Sequence, residues 1–233
     1  MISVTKVSKE TMHRSKELIA TDRKRTNILR KQEQEALAYL VQIMPQWVTS
    51  DLLTFTGFLG NVLVFASFVL ARYVEPALLL LGVAGFAISW FGDSLDGRLA
   101  YYRNKPRKNY GFALDIIVDW LGIILLGFGF TMYIGEPYKM VGFAFVVLYG
   151  WQMILALIRY LVSGKYSIDS GILGPTEVRI IISLILVAEV FLPGSVTVFS
   201  ILATMILLIV DLIDTKKILR LSDDADRNKS IKQ

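Results

Sequence analysis

The sequence of 233 residues contains no cysteine and a single histidine, His13, which lies in a polar N-terminal segment. The lack of cysteine excludes disulfides and thiolate metal sites, and one histidine in such a segment argues against histidine-based catalysis and most zinc sites. Charged residues make up only 19% of the chain, which is too few for an ordinary soluble domain. Any chemistry must therefore rest on carboxylates, hydroxyls and basic groups.

Residues 1–35 also lack the short apolar stretch, followed by small residues, that marks a secretory signal peptide. We therefore expect residues 1 to about 50 to stay on the cytoplasmic side of a membrane. Basic side chains in this segment would lie against anionic lipid, where each contributes about 1 kcal/mol. They are Lys6, Lys9, Arg14, Lys16, Arg23, Lys24, Arg25, Arg30 and Lys31.

Hydrophobic residues are abundant, at 54% of the chain with a mean hydropathy of +0.53, as is typical of an integral membrane protein. Six apolar segments are each near the ~20 residues that a bilayer core of about 30 Å requires. Before them, apolar residues recur at helical spacing over residues 33–44, which predicts an amphipathic helix in the membrane interface. The predicted spans are residues 52–72, 76–92, 111–134, 140–163, 177–193 and 195–214.

The predicted fold is therefore an all-α polytopic membrane protein, with six transmembrane helices preceded by an N-terminal amphipathic interfacial helix. It divides into a basic cytoplasmic segment (residues 1–32), a membrane domain (33–214) and a charged cytoplasmic tail (215–233). The net charge of +5 does not indicate a nucleic-acid partner, because the basic residues cluster in the N-terminal segment and between spans. That distribution instead predicts cytoplasmic termini and a cytoplasmic loop at residues 98–108.

Four aspartates interrupt the apolar pattern at this predicted cytoplasmic side. Asp93 and Asp96 are three residues apart at the end of the second predicted span, and Asp115 and Asp119 are four apart in the third. These spacings place each pair on one helical face. A carboxylate at membrane depth is costly unless it is paired, hydrated or metal-bound, so the second pair is a functional candidate. Two facing pairs form an all-oxygen site that suits Mg²⁺, Mn²⁺ or Ca²⁺.

Neighbouring residues suit a phosphorylated ligand at such a site. Gly97 follows Asp96, and Gly111 lies one turn before Asp115, so both allow a bulky ligand to approach the backbone. The basic run from Arg98 to Lys108, which includes Arg103, would supply countercharge. A two-metal centre of this kind typically clamps a phosphate or diphosphate.

These residues resemble the signature of the CDP-alcohol phosphotransferases (CDP-alcohol phosphatidyltransferases), D-x-x-D-G-x-x-A-R, eight residues, G-x-x-x-D-x-x-x-D. The matching positions are Asp93, Asp96, Gly97, Ala100, Gly111, Asp115 and Asp119. Residues 45–57 are similar to the family's P-N-x-L/I-T-x-x-G entry to the first span, with Ser50 and Asp51 in place of Pro and Asn. The family has six transmembrane helices after an amphipathic helix, so the resemblance covers about residues 33–214.

The resemblance implies a membrane enzyme of phospholipid synthesis, which transfers the phosphoryl-alcohol part of a CDP-linked donor to a hydroxyl acceptor and releases CMP. It implies that Asp93, Asp96 and Asp115 bind divalent metals, Mg²⁺ or Mn²⁺ with two ions expected, and that Asp119 both approaches the second metal and accepts the acceptor's proton. Gly97, Ala100 and Gly111 would pack against the nucleotide. CDP-diacylglycerol is the favoured donor, with a CDP-amino alcohol as the alternative, and a homodimer is implied.

The sequence departs from the signature at two points. Tyr101 stands where the family has arginine, and nine residues rather than eight separate it from Gly111. Arg98 or Arg103 could supply the missing cation through a shifted loop. The departures leave the metal site intact and mark the chain as a divergent member, with an inactive one as an alternative. A divalent-cation transporter that uses Asp115 and Asp119 is the alternative from another functional class.

Two further arginines lie near the predicted cytoplasmic ends of later spans. Arg159 and Arg179 either bind a phosphate of donor or acceptor, or extend to the lipid headgroups. Asp211 and Asp214 lie beside Lys216 and Lys217 at the end of the last span, and we interpret them as interfacial charges with local pairing.

Overall fold

The computed structural model describes residues 30–164 and 175–230. Within these ranges the long elements are all α-helices, and a short 3-10 helix, Pro76–Leu79, precedes the third of them. Most of the predicted basic segment (1–29), the end of the predicted tail (231–233) and residues 165–174 lie outside the described residues. The helices are α1 (Arg30–Ile43), α2 (Ser50–Tyr73), α3 (Leu80–Tyr102), α4 (Lys108–Ile134), α5 (Lys139–Ser163), α6 (Pro175–Phe191) and α7 (Ser195–Ser230).

Five helical stretches of the described chain are long and apolar enough to cross a membrane, as expected for an all-α, multi-pass integral membrane protein. Helix α6 has 17 residues and is therefore about 25 Å long, short of the ~30 Å of a bilayer core. The count of six spans thus stays a prediction, since α6 corresponds to the predicted span at residues 177–193. The five stretches are Ser50–Tyr73, Pro76–Tyr102, Lys108–Ile134, Lys139–Ser163 and Ser195–Arg227.

Local side-chain chemistry sets several helix ends. The Thr49 hydroxyl accepts a hydrogen bond from the Leu52 backbone N–H at 3.2 Å and caps α2. Gly164 ends α5 in the left-handed region, with φ of +69°, where a side chain would be strained. The buried Glu189 carboxylate accepts the N–H of Val196 at 2.7 Å and so caps the first turn of α7.

Helices α2 and α3 pack with their backbones unusually close, and this pair forms the centre of the bundle. A Cβ added at Gly60 would lie 2.6 Å from the carbonyl oxygen of Gly85, and one at Gly92 would overlap the backbone of Gly57 and Leu53. Small residues permit this approach, which is how membrane helices gain packing energy without a hydrophobic driving force. The approach places the carboxyl end of α3, with Asp93 and Asp96, beside the first turns of α2.

The helix predicted over residues 33–44 is found as α1, and its apolar side packs on protein. Leu37, Ala38 and Val41 are buried against Leu95 and Leu99 of α3. This contact accounts for its apolar periodicity in the described structure. That α1 is an amphipathic helix of the membrane interface stays a prediction.

Helix α7 continues well past the end of the predicted last span. It spans 36 residues, so the proposed boundary between membrane domain and tail at residue 214 falls inside one continuous helix. Charged side chains support the extension, as in the i,i+4 pair in which Arg227 Nη2 lies 2.8 Å from Asp223 Oδ2. The division into three segments stays a prediction.

Candidate functional site

Three of the four predicted aspartates converge between α3 and α4. Asp93, Asp115 and Asp119 each offer a carboxylate oxygen, and the three oxygens lie within 4.8 Å of one another. All three side chains are half-buried. The spacing of four residues in α4 places Asp115 and Asp119 on one face, and the close α2–α3 packing brings the end of α3 to meet them.

Asp96 belongs to the same pocket and is held by hydrogen bonds. Its Oδ2 accepts the Thr54 hydroxyl at 2.6 Å, and its Oδ1 accepts the backbone N–H of Gly97 at 2.5 Å. The Ser50 hydroxyl also donates to the Asp96 carbonyl oxygen at 2.8 Å. These bonds fix one predicted ligand in orientation, as residues behind a metal ligand commonly do.

The pocket has a volume of about 10 Å³, which is the room of about one water molecule. It therefore matches an ion or a single ligand oxygen rather than a whole substrate. The residues that line it are Thr54, Gly57, Asn61, Ser89, Asp93, Asp96, Asp115, Val118, Asp119 and Arg179.

Of the two arginines proposed to bind phosphate, Arg179 reaches this pocket. Its Nη1 lies 2.8 Å from Asp93 Oδ2, so α6 contributes a cation to the carboxylate cluster. Arg159 instead lies between α5 and α7, with its Nη2 3.2 Å from Asp214 Oδ2. It lines a separate cavity of about 380 Å³, together with Lys217, whose Nζ lies 3.1 Å from Asp214 Oδ1. The expected local pairing is therefore present for Asp214. It was wrong for Asp211, whose carboxylate is fully buried and forms no hydrogen bond within the described residues.

The small residues predicted to contact the nucleotide have open surroundings. A Cβ added at Gly97 or Gly111 would meet nothing within 4 Å, and both glycines are exposed. Helix packing in the described chain therefore does not require glycine at either position. Ala100, one turn from Gly97 on α3, is half-buried. The role of these three residues in nucleotide binding stays a prediction.

The two arginines predicted to contact the donor both contact protein groups. The Arg98 guanidinium donates to the Ser94 carbonyl oxygen and lies 3.7 Å from the buried Glu33 carboxylate of α1. Arg103 Nη2 donates to the Pro45 carbonyl at 2.8 Å, and its Nη1 donates to the Val48 carbonyl at 2.5 Å. Arg103 thus binds the turn between α1 and α2, and donor contacts by either arginine stay a prediction.

The carboxylate pocket fits a divalent cation by its donor set. Asp93, Asp115 and Asp119 provide three oxygen ligands in reach of one another, with Asp96 in the same pocket, and hard cations such as Mg²⁺ and Mn²⁺ prefer oxygen ligands. The binding of two ions stays a prediction.

Sequence reasoning did not single out Thr54, Asn61 or Ser89, which also line the pocket. Thr54, Gly57 and Asn61 are spaced by three and four residues, so they share one face of α2. That polar face in an apolar helix was the available signal.

Comparison with known proteins agrees with this geometry. A model of the family described as CDP-alcohol phosphatidyltransferase matches residues 47–215, more than two thirds of the chain. No curated protein matches the sequence. The matched region contains all four aspartates and Arg179, and the chain belongs to the CDP-alcohol phosphatidyltransferase family.

Proposed function

We propose that this protein is a membrane enzyme of phospholipid synthesis that transfers a phosphatidyl or phospho-alcohol group from a CDP-linked donor to a hydroxyl acceptor, with release of CMP. Family membership supports phosphatidyl transfer from a CDP-alcohol, and the apolar helices support a membrane setting. The observation that carries the proposal is the convergence of Asp93, Asp96, Asp115 and Asp119 in one pocket. CDP-diacylglycerol is the favoured donor, and a CDP-amino alcohol is the alternative.

The four aspartates would hold Mg²⁺ or Mn²⁺, with two ions expected. A divalent ion bound there would neutralise the diphosphate and the charge that develops on the leaving oxygen. Thr54 would keep Asp96 in place for this role through its 2.6 Å hydrogen bond.

Asp119 is our candidate for the general base. The acceptor hydroxyl oxygen forms a new bond to the donor phosphorus, its proton passes to the Asp119 carboxylate, and the phosphorus–oxygen bond to CMP breaks. The CMP phosphate leaves with the electron pair of that bond. Asp119 suits the role because it lies in the pocket beside Asp93 and Asp115, and a carboxylate near bound cations stays ionised.

Donor binding would involve the open surface next to the pocket. Gly97, Ala100 and Gly111 would leave room for the nucleotide. Arg98 and Arg103 would supply positive charge if contacts with the donor replaced some of their hydrogen bonds to protein carbonyls. Arg179 is proposed to bind a phosphate, because its contact with Asp93 places its guanidinium in the carboxylate pocket. Arg159 could bind a phosphate of the acceptor only from its separate cavity.

The proposal places both termini and the carboxylate pocket on the cytoplasmic side. The basic loop at residues 103–107 and the N-terminal basic segment support this orientation. We also expect a homodimer, on the family resemblance.

The proposal is tested with purified protein in liposomes, incubated with Mn²⁺ or Mg²⁺, with CDP-diacylglycerol or CDP-choline, and with a panel of acceptors, with CMP as the readout. We expect Asp119→Asn to bind the donor but to turn over very poorly. Asp223→Asn is the matched control, because Asp223 is an exposed residue of α7 that pairs with Arg227.

Two results would contradict the proposal. Ion flux through the liposomes without CMP release would favour a divalent-cation transporter. Absence of both flux and CMP release, with donor still bound, would favour an inactive family member. Tyr101, which stands where the family has arginine, is the sequence feature that raises this alternative.

A further inference from the structure

Asn61 is an amide side chain in the carboxylate pocket that has no assigned role. It lies in the middle of α2 and lines the pocket with the four aspartates and Arg179. Within residues 30–164 and 175–230 its amide forms no hydrogen bond with another protein group, although amide side chains in membrane helices usually hydrogen-bond a neighbouring helix. The side chain is half-buried, so its amide is open to a partner that binds in the pocket.

Gly122 of α4 leaves open the space that the Asn61 amide occupies. A Cβ added at Gly122 would lie 3.0 Å from Asn61 Cγ and would overlap its amide nitrogen. Gly122 follows Asp119 by three residues, so it lies one helical turn further along α4. The Asn61 amide nitrogen therefore lies against α4 one turn beyond Asp119, in space that only a glycine leaves open.

The charges around Asn61 indicate what its amide would bind. The pocket holds four carboxylates and one arginine, and that arginine is paired with Asp93. The Thr54 hydroxyl proton is also committed, since it is donated to Asp96. An asparagine amide carries two N–H donors without any charge. It can therefore donate to an anionic oxygen of a ligand. Because it is uncharged, it does not form an ion pair with the carboxylates as an arginine does.

We infer that Asn61 is a substrate-binding residue whose amide N–H donates a hydrogen bond to a phosphoryl oxygen of the diphosphate bound at the carboxylate pocket, and that Gly122 provides the space for it. The inference rests on the proposed function and adds a specific contact to it. Donors placed at the oxygens where charge develops are among the largest contributions to catalysis, and removal of one typically lowers kcat by about 100-fold or more.

The test measures binding rather than turnover. Titration calorimetry gives the dissociation constants of Mn²⁺ alone and of CDP in the presence of Mn²⁺, for wild-type protein, Asn61→Ala and Asn61→Asp. We expect Asn61→Ala to bind Mn²⁺ within about threefold of wild type and CDP about 10- to 100-fold more weakly, since a hydrogen bond to a charged group is lost. Asn61→Asp should bind CDP at least as weakly, because it replaces the donor with a negative charge.

Asn109→Ala is the matched control, because Asn109 is exposed in the first turn of α4 and does not line the pocket. It should bind CDP as wild type does. Two results would overturn the inference. One is an Asn61→Ala variant that binds CDP as tightly as wild type does. The other is an Asn61→Asp variant that does so, since the contact would then be made by the amide oxygen rather than by the N–H. If the wild-type protein binds neither Mn²⁺ nor CDP, the proposed function itself is wrong.

Gly122 provides an independent arm of the test. Gly122→Ala should weaken CDP binding to the same extent as Asn61→Ala, because the new methyl group displaces the amide. The double variant Asn61→Ala with Gly122→Ala should be no weaker than Asn61→Ala, since the methyl group then fills vacant space; such non-additivity is the mark of direct contact. Additive losses in the double variant would contradict the assigned contact.

Discussion

Replacing Thr54 with valine tests whether the hydrogen bond to Asp96 prepares that carboxylate for metal binding. Thr54 is buried, at 8% exposure, and its hydroxyl donates to Asp96 Oδ2 at 2.6 Å. Valine keeps the shape of threonine but cannot donate. Asp96 would then retain the bond from the Gly97 N–H on its other oxygen and lose the one that holds it against α2.

The expected magnitude follows from that one bond. A hydrogen bond to a charged group contributes about 1.5–3 kcal/mol, which corresponds to about a 10- to 150-fold change in an equilibrium constant. Residues that orient metal ligands typically contribute about 10- to 100-fold to affinity or activity, which agrees with that range. We therefore expect Thr54→Val to weaken Mn²⁺ binding by about 10- to 100-fold and to lower CMP release at limiting Mn²⁺.

The assay is a Mn²⁺ titration of the purified variant, followed by CMP release as a function of Mn²⁺ concentration. Thr56→Val is the matched control, because the Thr56 hydroxyl donates at 2.8 Å to the Leu52 carbonyl of its own helix, away from the pocket. Thr54→Ser, which keeps a hydroxyl donor, should bind Mn²⁺ nearly as wild type does. A Mn²⁺ affinity of Thr54→Val within threefold of wild type would refute the reasoning, as would an equal loss in Thr56→Val.

Three further predictions concern the fold and the orientation of the chain. Gly92→Ala should lower the free energy of unfolding by about 1–3 kcal/mol in a denaturation assay, because its methyl group meets the backbone of α2. Gly97→Ala should not lower it, because Gly97 is exposed within α3, where alanine is the better helix former by about 0.5–1 kcal/mol, but it should impair CDP binding; equal stability of the two variants would contradict the packing. Arg103→Met should loosen the turn between α1 and α2, seen as faster limited proteolysis after residue 43, because it loses the carbonyls of Pro45 and Val48; proteolysis at the wild-type rate would argue against this contact. Because the chain has no cysteine, single cysteines at Lys105 and Glu75 report orientation, and a membrane-impermeant thiol reagent applied from outside the cell should label only the Glu75 position; the reverse pattern would invert the predicted topology.

The helical architecture could largely be predicted from sequence because membrane spans are set by the length of apolar runs. The predicted first span, residues 52–72, agrees with α2, and residues 140–163 agree with α5. The last helix could not be bounded in this way, since α7 continues through a charged segment after its apolar run ends. There, ion pairs such as Asp223–Arg227 stabilise the helix. A hydropathy profile measures only apolar content and therefore does not detect them.

The aspartates of the candidate site were also accessible to sequence reasoning, because spacings of three and four residues place each pair on one face. Their convergence depends on how α3 and α4 pack, and the structure brings Asp93, Asp115 and Asp119 within reach of one another, with Asp96 lining the same pocket. Metal binding by two facing pairs stays a prediction. Family membership is confirmed as well.

The partners of the arginines could not be predicted, because each depends on a distant helix. Arg179 meets Asp93, which is 86 positions earlier, and Arg159 meets Asp214 across the α5–α7 contact. Arg103 likewise binds carbonyl groups, which no side-chain pattern marks. The same holds for Asn61, whose place in the pocket depends on a glycine in another helix.

Measuring CMP release from CDP-diacylglycerol before and after removal of divalent cations shows whether the carboxylate pocket carries out a metal-dependent phosphotransfer. We expect wild-type protein to lose CMP release in EDTA and to regain it with Mn²⁺ or Mg²⁺, and we expect folded Asp96→Ala to show none under either condition. Undiminished CMP release in EDTA, or in Asp96→Ala, would contradict this expectation.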